Sequence, residues 1–398
     1  MPTYPLTDLA RDLWVENFAL SASDLKLPTP HSWSVTKRTL RGGRREGVDL
    51  IQVDTGAFSF AVIPTRGMGI WKGHYQGDRV GWDSPTEDGP VNPAFVNLMN
   101  WGGLGWLEGF DELLARCGLE NNGAPYSVKT TNPDGTERHT LYGLHGKIAN
   151  IPASFVTLHV SDKAPFEITL EGHVEEAKLF GPQLRMATKI TTCPGSNRLT
   201  VRDEFWNLKD SPCDMQVLYH WNFGSPHLEE GSKFIAPIKV LVPRDPRAQE
   251  GVDHFELYGP PEPGFAEQAY FMELQAKAED GQTLAMLRNR AGDKGVALRF
   301  SRAQLPAFTL WKCTGGRKEG YVTGLEPATN YPNPKPFEQE RKRVVTLPVG
   351  GSYVVETTLE VLNTPQGVAD VEAEIRTLAK QGSPTIHRKP VEPFTREG

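Results

Sequence analysis

Apolar residues recur at every second position along most of this chain, which is the period of half-buried strands. "FSFAVIP" sets Phe58, Phe60 and Val62 on one face, and "FEITLEGHV" does the same with Phe166, Ile168, Leu170 and Val174. "LRMATKI" and "LTVRDEFWNL" flank "TTCPGSNR", whose Pro-Gly-Ser-Asn is a turn signal, so 184–208 is expected to be an antiparallel hairpin. Further strands are expected at 48–53, 214–222, 234–242, 296–301, 307–312, 321–326 and 353–361. Strands that follow one another without intervening helices predict an all-β fold, a large antiparallel β-sandwich with a few short helices.

Two segments carry a helical period. "FDELLARCGL" (110–119) predicts a short helix, and "GVADVEAEIRTLAK" sets Val368, Val371, Ile375 and Leu378 on one face, with Gly382 beyond its end. Residues 81–142 break the strand rhythm with Trp, Gly, Asn and acids, as lids and binding loops do. The expected organisation is an N-terminal extension (1–44), a sandwich domain (45–362) with a lid-like insertion (81–142), and a C-terminal helix and tail (363–398), the tail loosely held after Ser383.

Composition narrows the partners. A formal charge of -6 over 398 residues gives no basic face for nucleic acid or an anionic membrane. The densest basic run, "KRTLRGGRRE" (37–46), is expected to be a solvated loop. Thirty-nine glycines and 32 prolines suit many strands joined by tight turns. Cys117, Cys193, Cys213 and Cys313 form no CxxC pair and are expected to be reduced thiols. The first twenty residues hold Asp8, Arg11, Asp12 and Glu16 instead of an apolar signal core, and no segment reaches membrane-spanning length. A cytoplasmic protein with no membrane partner is expected; the sequence does not define its oligomeric state.

Three short stretches carry candidate chemistry. "GLEPATNYPN" (324–333) presents Glu326 beside Pro327, Pro332 and Pro334, and reads as a rigid loop holding a carboxylate, with Thr329 and Asn330 at hand to orient it. "DMQVLYHWNFG" (214–224), as a strand, puts His220 and Asn222 on one face with Gln216 and Leu218, and Tyr219 and Trp221 on the other. "LYGLHGKI" (141–148) sets His145 among glycines that permit close backbone approach. Singly, each has an ordinary structural explanation: a surface glutamate, a core histidine, a turn histidine.

In order along the chain, "LHG" at 144–146, "YHWNFG" at 219–224 and "EPATNYPN" at 326–333 resemble the aldose 1-epimerase (galactose mutarotase) family. "VIPTRGMGI" (62–70) and "SKFIAPIKVLVPRD" (232–245) resemble it more loosely. The resemblance spans roughly 45–362, departs from the family's pattern after His220, and finds no counterpart for the Trp-rich 95–123, as in an outlying branch. It implies a galactose mutarotase-like supersandwich and a small-molecule carbohydrate as ligand. It also implies an isomerase with Glu326 as base, His220 as acid and His145 as assistant, needing no cofactor or metal. Arg66, Asn222, Glu267 and Asn330 would hold the sugar, and Trp101 or Trp106 would stack on it.

Other readings compete. Two histidines and a glutamate could ligate a metal, although the close His spacing of zinc motifs is missing. The fold could serve a non-catalytic carbohydrate-binding protein. Keto-sugar epimerisation, elimination or glycoside cleavage could draw a second carboxylate from Glu267, Asp111 or Glu108.

Overall fold

The period-two segments assemble into two large sheets whose facing sides bury the apolar positions. The computed structural model describes residues 2–86, 89–131 and 134–396. Residues 87–88 and 132–133 of the expected insertion, and 397–398 of the tail, lie outside the described residues. One sheet has ten strands and the other fourteen; the pairings are antiparallel except that of Ile238–Pro243 with Thr385–Ile386. The expected hairpin is Gln183–Thr192 with Arg198–Asn207, in the ten-stranded sheet. No helix among the described residues is long and apolar enough to cross a membrane.

The first 44 residues contribute to both sheets. Thr3–Asp8 pairs with Phe155–Val160 in the ten-stranded sheet, while Phe18–Ser21 and Ser34–Thr39 form an edge of the fourteen-stranded one. Pro365–Ala379 is a helix as expected. Thr364 caps it by accepting from the Gly367 amide, and Val368, Val371, Ile375 and Leu378 pack on Leu284, Met286 and Ala297.

Four expectations need correction. Residues 110–119 contain no helix of that length: Leu114–Leu119 is a strand, buried at all six positions. A strand covered on both faces reads as a continuous apolar run, which periodicity does not separate from a buried helix. The expected strand 234–242 is two strands in different sheets, Lys233–Ile235 and Ile238–Pro243, with the chain crossing at Ala236–Pro237. The tail is anchored: Phe394 packs on Tyr331, its carbonyl accepts from Asn333 Nδ2 (2.9 Å), and Thr395 Oγ1 donates to the Arg244 carbonyl (3.0 Å). Finally, Glu326 is not on a loop. It lies within the strand Tyr321–Ala328, all eight residues of which are buried. Pro327 is accommodated there because the pairing with Cys213–Phe223 skips Tyr219 and His220, so no ladder donor is missing on that side.

Inside the sandwich, Arg116 reaches from the fourteen-stranded sheet to Asp203 in the ten-stranded one. Its Nε and Nη2 donate to the two carboxylate oxygens at 2.6 and 3.0 Å. Thr188 Oγ1 and the Met68 and Gly67 carbonyls accept its remaining N–H groups, and Tyr219 Oη donates to Asp203. Every group is satisfied, which an ion pair buried at this depth requires. Asp203→Asn is therefore expected to lower stability by about 3–5 kcal/mol through the unpaired guanidinium. Urea unfolding monitored by tryptophan fluorescence measures it; a loss under about 1 kcal/mol would show that the pair is not what joins the sheets.

Candidate active site

Strand alternation puts the chemistry on the outer face of the fourteen-stranded sheet. From Cys213–Phe223, Met215, Val217, Tyr219, Trp221 and Phe223 enter the main core, which leaves Gln216, Leu218, His220 and Asn222 facing outward. The neighbouring strand adds Glu326 to the same face. The segment that follows Trp82 folds over this face, with Trp106 and Phe110 packed on it. His220 and Glu326 are thereby only 4% and 2% exposed.

The three residues singled out by the sequence come together. His220 Nε2 lies 3.2 Å from Glu326 Oε1, at ion-pair distance but without hydrogen-bond alignment. The His145 and His220 rings are 5.5 Å apart, edge to face. His145 holds a left-handed backbone (φ 59°), followed by Gly146 at φ 69°. A Cβ at Gly146 would lie 2.3 Å from the Asn121 carbonyl oxygen, so this turn needs its glycine.

Hydrogen bonds define the tautomers. Asn222 Nδ2 donates to the Glu112 and His220 carbonyls (3.0 and 2.9 Å), so its Oδ1 must accept from His220 Nδ1, at 2.6 Å. His145 Nδ1 likewise donates to the Asn122 carbonyl at 2.9 Å. Neutral His220 thus presents a bare Nε2 to Glu326. Burial pushes the Glu326 carboxyl well above its ordinary range, with nearby Glu267 adding to the effect and Arg244 opposing it. Burial pushes His220 well down, and His145 down to about 4. Both shifts favour the uncharged forms, a protonated carboxyl beside a neutral imidazole.

The other expected contacts divide. Trp106 lies 4.7 Å from the His145 ring and 6.1 Å from that of His220, whereas Trp101 is 74% exposed and does not cover the pair. Arg66 is buried, its Nε donating to Glu112 Oε1 (2.5 Å) and its Nη1 to Asn150 Oδ1 and the Val91 carbonyl, while its Nη2 has no acceptor. Asn222 is spent on positioning His220. Asn330 and Asn122 exchange amide hydrogen bonds, and Thr329 Oγ1 meets Asn330 and Val217. These two therefore steady the loop that holds His145 and make no bond to Glu326. Glu267 stands at the rim, where Oε2 accepts from Trp311 Nε1 (2.6 Å) and Oε1 from Arg244 Nη2 (2.9 Å). Glu108 accepts from Asn100, and Asp111 from Trp71. Among the described residues, no group of three or more His, Cys, Asp or Glu is arranged to hold a metal ion.

Sequence reasoning missed Phe110, Trp311, Asn122 and Arg244. The Phe110 and Trp311 rings sit 5.1 and 5.3 Å from that of His220. Trp311 was recoverable, since it alternates with buried residues on a strand next to Glu326. Phe110 was hidden inside the mistaken helix.

Comparison with known proteins follows the same lines. A family profile described as "Domain of unknown function (DUF4432)" matches residues 45–361. A crystal structure from Klebsiella pneumoniae, described as a "putative aldose 1-epimerase", is 37% identical over 98% of this chain and 99% of its own, with a TM-score of 0.91. A galactose mutarotase-like protein from Clostridium acetobutylicum is 14% identical over 88% of this chain and 99% of its own, with a TM-score of 0.54. A galactose mutarotase-related enzyme from Lactobacillus acidophilus is 13% identical over 79% and 98%, with a TM-score of 0.52. The last two show likeness of fold alone. A search of the curated proteins finds no match.

The raised Glu326 has a consequence for stability. Above the ordinary carboxylate value of 4.5, the unfolded chain releases a proton that the folded protein keeps, so this group makes stability fall as pH rises towards its raised value. Glu326→Gln has nothing to titrate, and its thermal stability should gain on the parent from about pH 4.5 upward. Parallel pH dependences in the two proteins, measured by calorimetry, would refute the protonated carboxyl.

Proposed function

The chain belongs to the DUF4432 family and to the aldose 1-epimerase (galactose mutarotase)-like superfamily, and from that premise we propose that it is a sugar isomerase working by acid–base catalysis. It would interconvert the anomers of a free aldose or an aldose derivative. The observation that carries this reading is the convergence of His145, His220 and Glu326 on one covered face, with His220 Nε2 3.2 Å from Glu326 Oε1.

Anomer exchange needs a base at the anomeric hydroxyl and an acid at the ring oxygen, with the roles reversed on closure. Let the pair hold its proton as Glu326 carboxylate and His220 imidazolium. Glu326 takes the hydroxyl proton, His220 Nε2 gives its own to the ring oxygen, and the ring opens to the aldehyde. The pair is left as carboxyl and neutral imidazole, its resting form. After rotation about the first carbon–carbon bond, Glu326 returns its proton to the aldehyde oxygen while His220 recovers one from the attacking hydroxyl. One proton enters and one leaves in each half, so no net charge accumulates in the buried site.

Burial serves this cycle. At ordinary values of 4.5 and 6.5 the ion-pair form would dominate. Raising the acid and lowering the imidazole moves the pair from the ion-pair form towards the neutral one, the two states between which the cycle runs. His145, neutral and anchored through Nδ1, can accept from a sugar hydroxyl at Nε2. The hydroxyl contacts are assigned to Glu267 and Arg244 at the rim, and the stacking face to Trp106 and Trp311. Arg66, Asn222 and Asn330 act as positioning residues.

Saturation-transfer NMR on a panel of aldoses is the test. Glu326→Gln and His220→Ala should each slow anomer exchange by about 10²- to 10⁴-fold with apparent affinity little changed. Asn222→Leu, which frees the His220 ring, should lower kcat more than it raises KM. Unimpaired exchange in Glu326→Gln would remove the carboxyl from the mechanism. A parent that binds sugars without accelerating exchange would make the protein a carbohydrate-binding module.

A further inference from the structure

A cavity of about 370 Å³ has Trp71, Ser84, Pro85 and Thr86 in its wall, and none of His145, His220 and Glu326 lines it. Four cations line it, Lys72, Arg79, Arg317 and Lys318, against the carboxylates Asp83 and Asp111. This is unusual on a chain that carries a formal charge of -6. Asp83 is spent on Arg79. Asp111 is buried, accepts from Trp71 Nε1 at 2.6 Å, and is pushed by that burial up to about 7, so it opposes the cations weakly. Among the described residues, Lys72, Arg317 and Lys318 make no ion pair, and Arg79 Nε is buried with no acceptor.

Lys72 is held in place with its ammonium 3.8 Å from the centroid of the Trp71 ring. Two unpaired cations side by side at 317–318 face it across the opening. Cations gathered without partners repel one another, and an arrangement of this kind is relieved by a small anion with several oxygens.

We propose that this cavity binds a phosphate group, as the free anion or as a phosphate ester, separately from the histidine–glutamate site. The assignment stands whether or not the isomerase reading does. The cavity also backs onto that site. Ser84 Oγ, in its wall, donates to the Phe110 carbonyl at 2.6 Å, and the Phe110 ring lies on His220. An anion that draws Lys72 and residues 84–86 inward would therefore act on the cover of the catalytic pair.

Isothermal titration of the intact protein with inorganic phosphate, at constant ionic strength set by sodium chloride, tests this. Saturable one-to-one uptake is expected below about 10 mM. Arg317→Ala/Lys318→Ala, at exposed positions where folding is not at risk, should weaken it by at least about tenfold. Glu326→Gln should leave it unchanged. Two further acids of this stretch, Glu87 and Asp88, lie outside the described residues. A hexose phosphate binding tighter than inorganic phosphate by about tenfold identifies an ester as the ligand, and equal affinities identify the free anion. No saturable uptake, or equal uptake by the parent and the Arg317→Ala/Lys318→Ala protein, overturns the proposal.

Discussion

The buried pair of Arg116 with Asp203 is the constraint on which the rest of the molecule depends. It joins the two sheets through their shared interior, and Tyr219 completes it from the strand that carries His220. A strand that slipped by one residue would turn every side chain to the opposite face. Tyr219 can reach Asp203 only in the observed register, so the pair that locks the sheets also decides that His220 and Asn222 face outward. Two charges in the interior contribute little net stability over apolar residues, but they tolerate few alternatives.

From that register the electrostatics of the outer face follow. Three adjacent strands, Leu114–Leu119, Cys213–Phe223 and Tyr321–Ala328, are buried on both sides, by the second sheet beneath and by Trp82, Trp106 and Phe110 above. A glutamate and a histidine in such a place are costly to ionise separately and can share a proton cheaply. The same covering that makes the site reactive closes it. His220 and Glu326 are left almost without exposure beneath the rings.

Much of this was legible in the chain. Period-two alternation locates most strands, and it places His220 and Asn222 together on one face. Two of the elements it misread, Leu114–Leu119 and Tyr321–Ala328, share one cause, burial on both sides. In Leu114–Leu119 the apolar positions no longer alternate, so 110–119 looked helical, and with Phe110 went part of the site. Glu326 looked like a loop residue because prolines usually end strands, and only the skipped ladder opposite Pro327 explains why this one does not. Asn330 was read as an orienter of Glu326, but its partner Asn122 lies 208 positions away and no local pattern reveals such a pairing.

That long reach bears on how the protein folds. Asn122 must find Asn330, Arg116 must find Asp203, and the rim at Arg244 is clasped by Thr395, 151 positions further on. Closing loops of this length costs entropy before any contact repays it, and topologies built on such contacts form slowly. Before residue 395 emerges from the ribosome, the catalytic face lacks its last clasp. The nascent protein therefore carries His145, His220 and Glu326 for much of its synthesis before the contacts that frame them are complete.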